Sequence, residues 1–316
     1  MAAGNYNPNV ATFLVTGGAG FIGSHVVDRI QAAGDTAIVV DDLSKGSLKN
    51  LPSNITLIEA NIADRPAMQK VAAELKDLKA IIHCAAQACV VASTEDPEHD
   101  LRVNIAGTIN VLDIATAHSC SLVFTSTGGA IYGETAPRPT PETSATEPGA
   151  PYGASKAAAE IYVRLWARKD NLPHTICRLG NVYGPRQRGD GEAGVVAILA
   201  ARLNDNKPMT LYGFGEPTRD YVHVSDVARA LTDSCGTVGT FNIATGTETS
   251  VREVYTLVRS AVPNSTCGEP TLAPLRPGEL QASCLDASLA ASVLGWTPQI
   301  EVATGIPSTA RSLLSD

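Results

Sequence analysis

The stretch that most restricts what this chain can fold into is TGGAGFIG, Thr16 to Gly23. It follows the apolar run TFLV and opens a segment, FIGSHVVDRIQAAG, whose apolar positions recur at helical spacing. Its glycines at 17, 20 and 23 permit a tight turn and the close approach of a phosphate backbone. A helix that starts there aims unpaired N–H groups and the positive end of its dipole at the turn, which suits an anion. A glycine-rich turn alone is weak evidence. Between a first strand and a first helix it predicts a dinucleotide-binding unit.

The rest of the first half keeps this texture. TFLVTG (12–17), AIVVDD (37–42), ITLIEA (55–60), AIIHCAA (80–86), LVFTST (122–127) and HTICRLG (174–180) read as buried parallel strands. Helical stretches lie between most of them: FIGSHVVDRIQAAG, DRPAMQKVAAELKD, HDLRVNIAGTINVLDIATAH and 152–170. The alternation predicts an α/β fold with a doubly wound parallel (Rossmann) sheet. After residue 180 the loops lengthen and become rich in Gly and Pro, as in GNVYGPRQRGDGEAG and CGEPTLAPLRPGEL. This predicts a smaller mixed α/β substrate domain. The expected division is an NAD-binding domain at 1–178, with 221–246 packing back on it, and a substrate-binding domain from 179–220 and 247–316. A ligand cleft is expected between them, at the carboxyl ends of the strands.

The second strand ends in Asp41-Asp42, near the ~20-residue spacing at which a ribose-binding acid follows the turn. A carboxylate there accepts from ribose hydroxyls and repels a 2′-phosphate, so NAD is expected rather than NADP. In PYGASK, Tyr152 and Lys156 stand four residues apart at the start of a strong helix former, so both point from one helical face. An isolated pair of this kind is most often a surface pair. Here it follows a dinucleotide signal.

The formal net charge of −8 argues against non-specific nucleic-acid binding, and any anionic substrate needs a local cluster of arginines. Seven cysteines at irregular spacing, with no CxxC, read as reduced thiols in a cytoplasmic protein, and no metal site is expected. MAAGNYNPNV lacks the basic and apolar regions of a secretory signal. The longest apolar run, VVAILAA at 195–201, is too short to span a membrane.

TGGAGFIG, the acidic strand end, HCAAQ, TSTGGAIYG, PYGASK, RLGNVYGPRQ, RDYVHVSDVARA and LRPGEL occur in order along nearly the whole chain. Together they resemble the extended short-chain dehydrogenase/reductases, and most closely the UDP-glucose 4-epimerases. The resemblance implies NAD-dependent epimerisation at C4 of a UDP-hexose through a 4-keto intermediate. It implies Tyr152 as catalytic base, Lys156 as its partner, and Thr127, with Ser126 as rival, as the hydroxyl at the sugar's 4-oxygen. Gly17, Gly20, Phe21, Ile22 and Gly23 match the pyrophosphate turn, and Asp41, followed by Asp42, the ribose acid. Asn61 and Ile62 match the place where the family usually has Asp-Ile beside the adenine. Ala85, Ala86 and Asn104 match positions along the family's cofactor, while Asn181, Arg219, Arg276 and Ser283 match substrate-binding positions. A small residue such as Ser283 leaves room for an N-acetyl group. Many relatives are homodimers packed through the 97–118 and 152–170 helices.

The chemistry explains the pairing. A free tyrosine has a pKa near 10, and one cation about 5 Å away at an effective dielectric near 20 favours phenolate by roughly 3 kcal/mol, about two pKa units. Three rivals stay open: a nucleotide-sugar dehydratase or decarboxylase, a ketosugar reductase, and a non-catalytic dinucleotide-sensing module. Dehydratases of this kind usually carry an acid after the Ser/Thr, where this chain has Gly128 and Gly129. His83 reads as a core residue, and Arg186 and Arg188 as solvated loop charges.

Overall fold

The computed structural model describes residues 10–189, 194–276 and 279–314. Residues 1–9, which carried the reading of the N-terminus, lie outside the described residues, as do 190–193 and the Pro277-Gly278 of LRPGEL. Six strands of the main sheet come from the first half: β1 (Thr12–Thr16), β2 (Thr36–Asp41), β3 (Thr56–Glu59), β4 (Leu78–His83), β5 (Ser121–Thr127) and β6 (Thr175–Leu179). A seventh, Gly239–Ile243, pairs in parallel with β6, and the order across the sheet is Gly239–Ile243, β6, β5, β4, β1, β2, β3. The order turns back between β1 and β4, so a crevice opens there beyond their carboxyl ends.

Period-two alternation assigns each strand residue to one of two layers. Phe13, Val15, Ala80, Ile82 and Val123 pack with Val26, Val27 and Ile30 of the first helix, Phe21–Ala32, and with Val227 and Leu231 of the Val224–Asp233 helix. Leu14, Ile81, Leu122 and Phe124 face the other way, onto the Arg65–Glu74, Gly107–Ala117 and Pro151–Asp170 helices. Both faces are covered, which is why the strands read as nearly continuous apolar runs.

The segment expected as one helix over HDLRVNIAGTINVLDIATAH is interrupted. Pro97–Leu101 and Gly107–Ala117 are α-helical, but Arg102–Ala106 forms a π-helical turn. Asn104 lies in this turn, where its amide exchanges two 3.0 Å hydrogen bonds with the backbone of Gln87, in the loop after β4. The wider turn brings that side chain to the sheet edge, and periodicity alone does not reveal it.

The later part of the chain is built from small sheets. Glu248–Ser250 and Asn181–Tyr183 flank Thr218–His223, and Thr271–Ala273 pairs with Thr210–Tyr212. The Val195–Asn204, Val251–Ala261 and Val302–Leu313 helices close a separate core around Tyr183, Leu199, Leu211, Val254 and Ile306. Among the described residues no helix is long and apolar enough to cross a membrane.

Candidate active site

The glycine turn is a cradle without spare volume. Gly17 has φ +69°, and a Cβ there would lie 2.6 Å from the Ala85 nitrogen; at Gly23 it would meet the Gly17 carbonyl oxygen at 2.1 Å. The first helix starts at Gly20 with no side-chain cap, so its leading N–H groups face the turn unclaimed by a cap. Phe21 and Ile22 form its opening residues. Ala19 N–H donates to Asp41 Oδ2 (2.9 Å) and Leu43 N–H to Oδ1 (2.9 Å). Burial raises the Asp41 pKa, while the two backbone donors oppose that rise. Each oxygen keeps a further lone pair for a hydroxyl. The backbone turn, bare helix start and acid fit a dinucleotide's diphosphate and ribose.

Asp42 and Asn61 are tied together. Asn61 Nδ2 donates to Asp42 Oδ2 (2.8 Å) and Asn61 Oδ1 accepts from Ala63 N–H (2.8 Å). The carboxylate and amide therefore share this edge, and Ile62 is buried behind them, against Gly107. Ala85 and Ala86 lie in the loop that Asn104 holds, with Ala85 N–H 3.4 Å from Thr16 Oγ1.

At the other side of the crevice, β5 carries Ser126 and Thr127, and the Pro151–Asp170 helix carries Tyr152 and Lys156. Tyr152's phenol is hydrogen-bonded to the Thr127 side chain; burial pushes it up to about 12. Lys156 Nζ donates to the Thr125 carbonyl (2.8 Å) and sits 4.6 Å from the centre of the Phe124 ring. Burial brings its pKa down to about 8, against the raising effect of Cys84, Asp100 and Glu160. Ser126, one residue along the strand, faces the opposite way and donates to Glu160 Oε1 (2.7 Å). The two hydroxyls that the sequence left as rivals are thus separated by strand alternation: Thr127 meets the phenol, and Ser126 does not.

Glu160 lies in a network that the sequence did not announce. It pairs with Arg178 (2.6 Å) and with Arg164 (3.1 Å), and Arg178 also donates to the Tyr132 hydroxyl (2.8 Å), which donates to Asn242 Oδ1 (2.9 Å). This buried chain braces the end of β5 from behind. His83 is 1% exposed, between Thr16 Oγ1 (2.6 Å) and Thr108 Oγ1 (3.1 Å). Thr108 donates onward to the Asn104 carbonyl (2.6 Å), so its oxygen accepts and His83 carries its proton on Nε2. Burial and Lys156 bring His83 down to about 3, so it is a neutral part of the core.

The second lobe closes over β5. A Cβ on Gly128 would lie 2.2 Å from Leu285 Cδ1, and one on Gly129 would lie 3.1 Å from Asn181 Oδ1. Asp220 gathers this wall: its carboxylate accepts from Thr245, Gly246 and Leu285 N–H groups at 2.8, 2.9 and 3.2 Å. Beside it, Arg219 donates to the Thr218 and Leu280 carbonyls (2.8 Å each). Arg276 pairs with Glu279 and lies 4.6 Å from the centre of the Tyr212 ring. Ser283 is half-buried, its N–H donating to the Thr218 carbonyl (3.2 Å). Arg186, expected as a solvated charge, is instead ion-paired with Asp28 of the first helix (2.7 Å), and Arg188 reaches the Lys45 carbonyl (3.4 Å). No disulfide joins the described cysteines, and no cluster of potential metal ligands occurs among the described residues.

Known proteins resemble this arrangement. Residues 13–244 match the family model described as NAD dependent epimerase/dehydratase family. The chain is 41% identical over 305 residues to a UDP-glucose 4-epimerase of Mycolicibacterium smegmatis, covering 94% of this chain and 96% of the relative. Among solved structures, the UDP-glucose 4-epimerase of Thermotoga maritima with UDP-glucose superposes with a TM-score of 0.91 at 39% identity, covering 96% of this chain and 99% of that one. The UDP-glucose 4-epimerase of Thermus thermophilus in complex with NAD gives 0.88 at 39% identity, with the same coverage.

Proposed function

This chain belongs to the NAD-dependent epimerase/dehydratase family, and from that premise we propose that it interconverts UDP-hexoses differing at C4, UDP-glucose and UDP-galactose first, through a transient 4-keto sugar. The observation that carries the reading is the Tyr152–Thr127 hydrogen bond, one helical turn from the buried Lys156, whose ammonium donates to the Thr125 carbonyl on the same strand as Thr127. NAD would rest its diphosphate on Gly17, Gly20, Phe21, Ile22 and Gly23. Asp41 would take its adenosine ribose, and Asn61 with Asp42 would edge the adenine against Ile62. Ala85, Ala86 and Asn104 would line its nicotinamide half, with Tyr152 and Lys156 at the second ribose. When bound, NAD supplies the acceptor and donor of hydride at the sugar's C4.

The protein's own groups do the rest. Tyr152 takes the proton of the 4-hydroxyl and returns it after the sugar has turned, and Thr127 orients that oxygen. Burial, with the Asp100 charge and against the Thr127 hydrogen bond, holds the phenol at about 12, the reverse of the drop expected from Lys156 alone; the positive charge of oxidised nicotinamide, when bound, would be the second cation that favours the phenolate. Arg219 and Arg276 hold the substrate's diphosphate by their planar forks while the hexose rotates. Asn181 stands beside Gly129 at the sugar, and Ser283 leaves space for a 2-N-acetyl group, so UDP-N-acetylhexosamines are proposed as further substrates. A dehydratase needs an acid after Thr127, and Leu285 fills the space a side chain at Gly128 would occupy. That observation favours the epimerase over the dehydratase.

The chain is read as two domains, 1–178 with 221–246 and 179–220 with 247–316, and as a cytoplasmic homodimer. Leu101, Ile161 and Leu165 are 53%, 61% and 43% exposed on the helices expected to pack between subunits, an apolar stripe that suits a partner copy.

Incubating the purified protein with UDP-glucose, UDP-GlcNAc or UDP-GlcA, without added NAD, and following the products by proton NMR tests the reading. The 4-epimer of one sugar is the expected product. Tyr152→Phe should lower kcat by about 10³-fold while retaining its dinucleotide. Full activity in that variant removes the base from the scheme.

A further inference from the structure

Asp100 is a buried carboxylate, 1% exposed, that neither the motifs nor the mechanism uses. It lies at the end of the Pro97–Leu101 helix, which packs on the Pro151–Asp170 helix. Asn104 Nδ2 donates to its Oδ1 (2.9 Å), and Ser155 is hydrogen-bonded to it. Ser155 Oγ also bonds the Tyr152 carbonyl (3.0 Å) and accepts from Asn104 Nδ2 (3.0 Å). Ser93 Oγ accepts the Tyr152 N–H (3.1 Å), so the turn bearing the phenol is held from two sides. A carboxylate at this depth is costly unless it is paired or hydrogen-bonded; burial raises the Asp100 pKa, and Ser155, Lys156, His99 and Asn104 oppose that rise.

We propose that Asp100 is a positioning residue for the Tyr152–Lys156 pair: it fixes the tyrosine-bearing turn through Ser155 and Asn104, and its charge sets the pH window in which the pair works. This rests on the reading of Tyr152 as the base. The charged and titratable groups around the pair are few. Lys156, on the same helix, is the cation; His83 and Cys84 face it from the β4 side, both neutral, since burial drives Cys84 up to about 12. Glu160 also faces Lys156, but its charge is balanced by Arg178 and Arg164. His99, on Asp100's own helix, is exposed, and so is Glu95 of the packed Val90–Glu95 helix. Asp100 therefore supplies the buried negative charge that Arg178 and Arg164 do not offset. It opposes ionisation of Tyr152 and holds the proton on Lys156. Both effects move the working window to higher pH.

The test compares pH profiles of kcat/KM for wild type, Asp100→Asn, Asp100→Glu and Ser155→Ala, together with the phenolate absorbance that disappears in Tyr152→Phe. In Asp100→Asn both limbs of the profile and the phenolate titration should move down by about one pH unit. Asp100→Glu should restore the wild-type window. Ser155→Ala should lower kcat without moving either limb. Should Asp100→Asn not fold, Asp100→Ser, which keeps an acceptor for Asn104 without the charge, carries the same comparison. Limbs that coincide with wild type in the uncharged variant overturn the proposal. Turnover retained in Tyr152→Phe overturns the reading beneath it, which is a separate outcome.

Discussion

The glycine turn and the arginine-bearing loops are built by opposite means. The turn acts through backbone: Gly17 and Gly23 sit where a single added carbon would strike Ala85 or Gly17 itself. The second lobe offers side chains, the proposed diphosphate holders Arg219, which donates to the Thr218 and Leu280 carbonyls, and Arg276, which pairs with Glu279. A backbone cradle leaves a dense local mark in the sequence, four glycines in eight residues. The side chains proposed for recognition stand as separate letters with no local mark around them.

The sharpest way to break this contrast is one substitution on each side. Gly23→Ala should strip the purified protein of its dinucleotide, more than tenfold by absorbance after acid release, and with it all turnover. Arg219→Lys should keep the dinucleotide and raise KM for UDP-glucose about tenfold, because a point charge replaces a planar fork. Equal loss of dinucleotide in both variants would erase the distinction.

A second comparison concerns what braces each lobe. Glu160→Ala leaves Arg178 buried without its partner, and urea unfolding should show a loss of roughly 3–5 kcal/mol. Acid tests the same lobe. His83 is held neutral, with a folded pKa of about 3 against 6.5 when unfolded. Its contribution is intact above pH 6.5 and falls as pH drops toward 3. By pH 4 it should cost about 3 kcal/mol, read from urea midpoints and flattened in His83→Gln. His174, brought down to about 4 by burial beside β6, adds to the same side. The smallest effect belongs to the second lobe. Ser250 and Glu253 form a reciprocal cap on the Val251–Ala261 helix, and Ser250→Ala should cost about 1 kcal/mol by thermal unfolding.

The main sheet was legible because its strands are apolar on both faces and its helices carry clean stripes. The π-helical turn at Arg102–Ala106 was not, since one extra residue in a turn hardly disturbs a pattern of period 3.6. Thr127 and Ser126 could not be told apart by counting along TSTGGAIYG, because only the pleat decides which hydroxyl meets the phenol. Asp100, Asp220 and the Glu160–Arg178 pair were missed for a common reason. Each is an ordinary charged letter, and its weight comes from burial and from partners dozens of residues away or on another element. Asp100 alone had a faint signal, an acid one helical turn before Asn104.

The Pro151–Asp170 helix is a single rod with polar groups turned inward on one flank and grease on another. Tyr152, Lys156 and Glu160 climb one flank on successive turns, while Ile161 and Leu165 look outward. A slip of one residue along such a rod would swing every group by about 100°. The chain therefore cannot redraw its outer stripe by inserting or deleting a residue without turning the proposed base and its lysine away from β5.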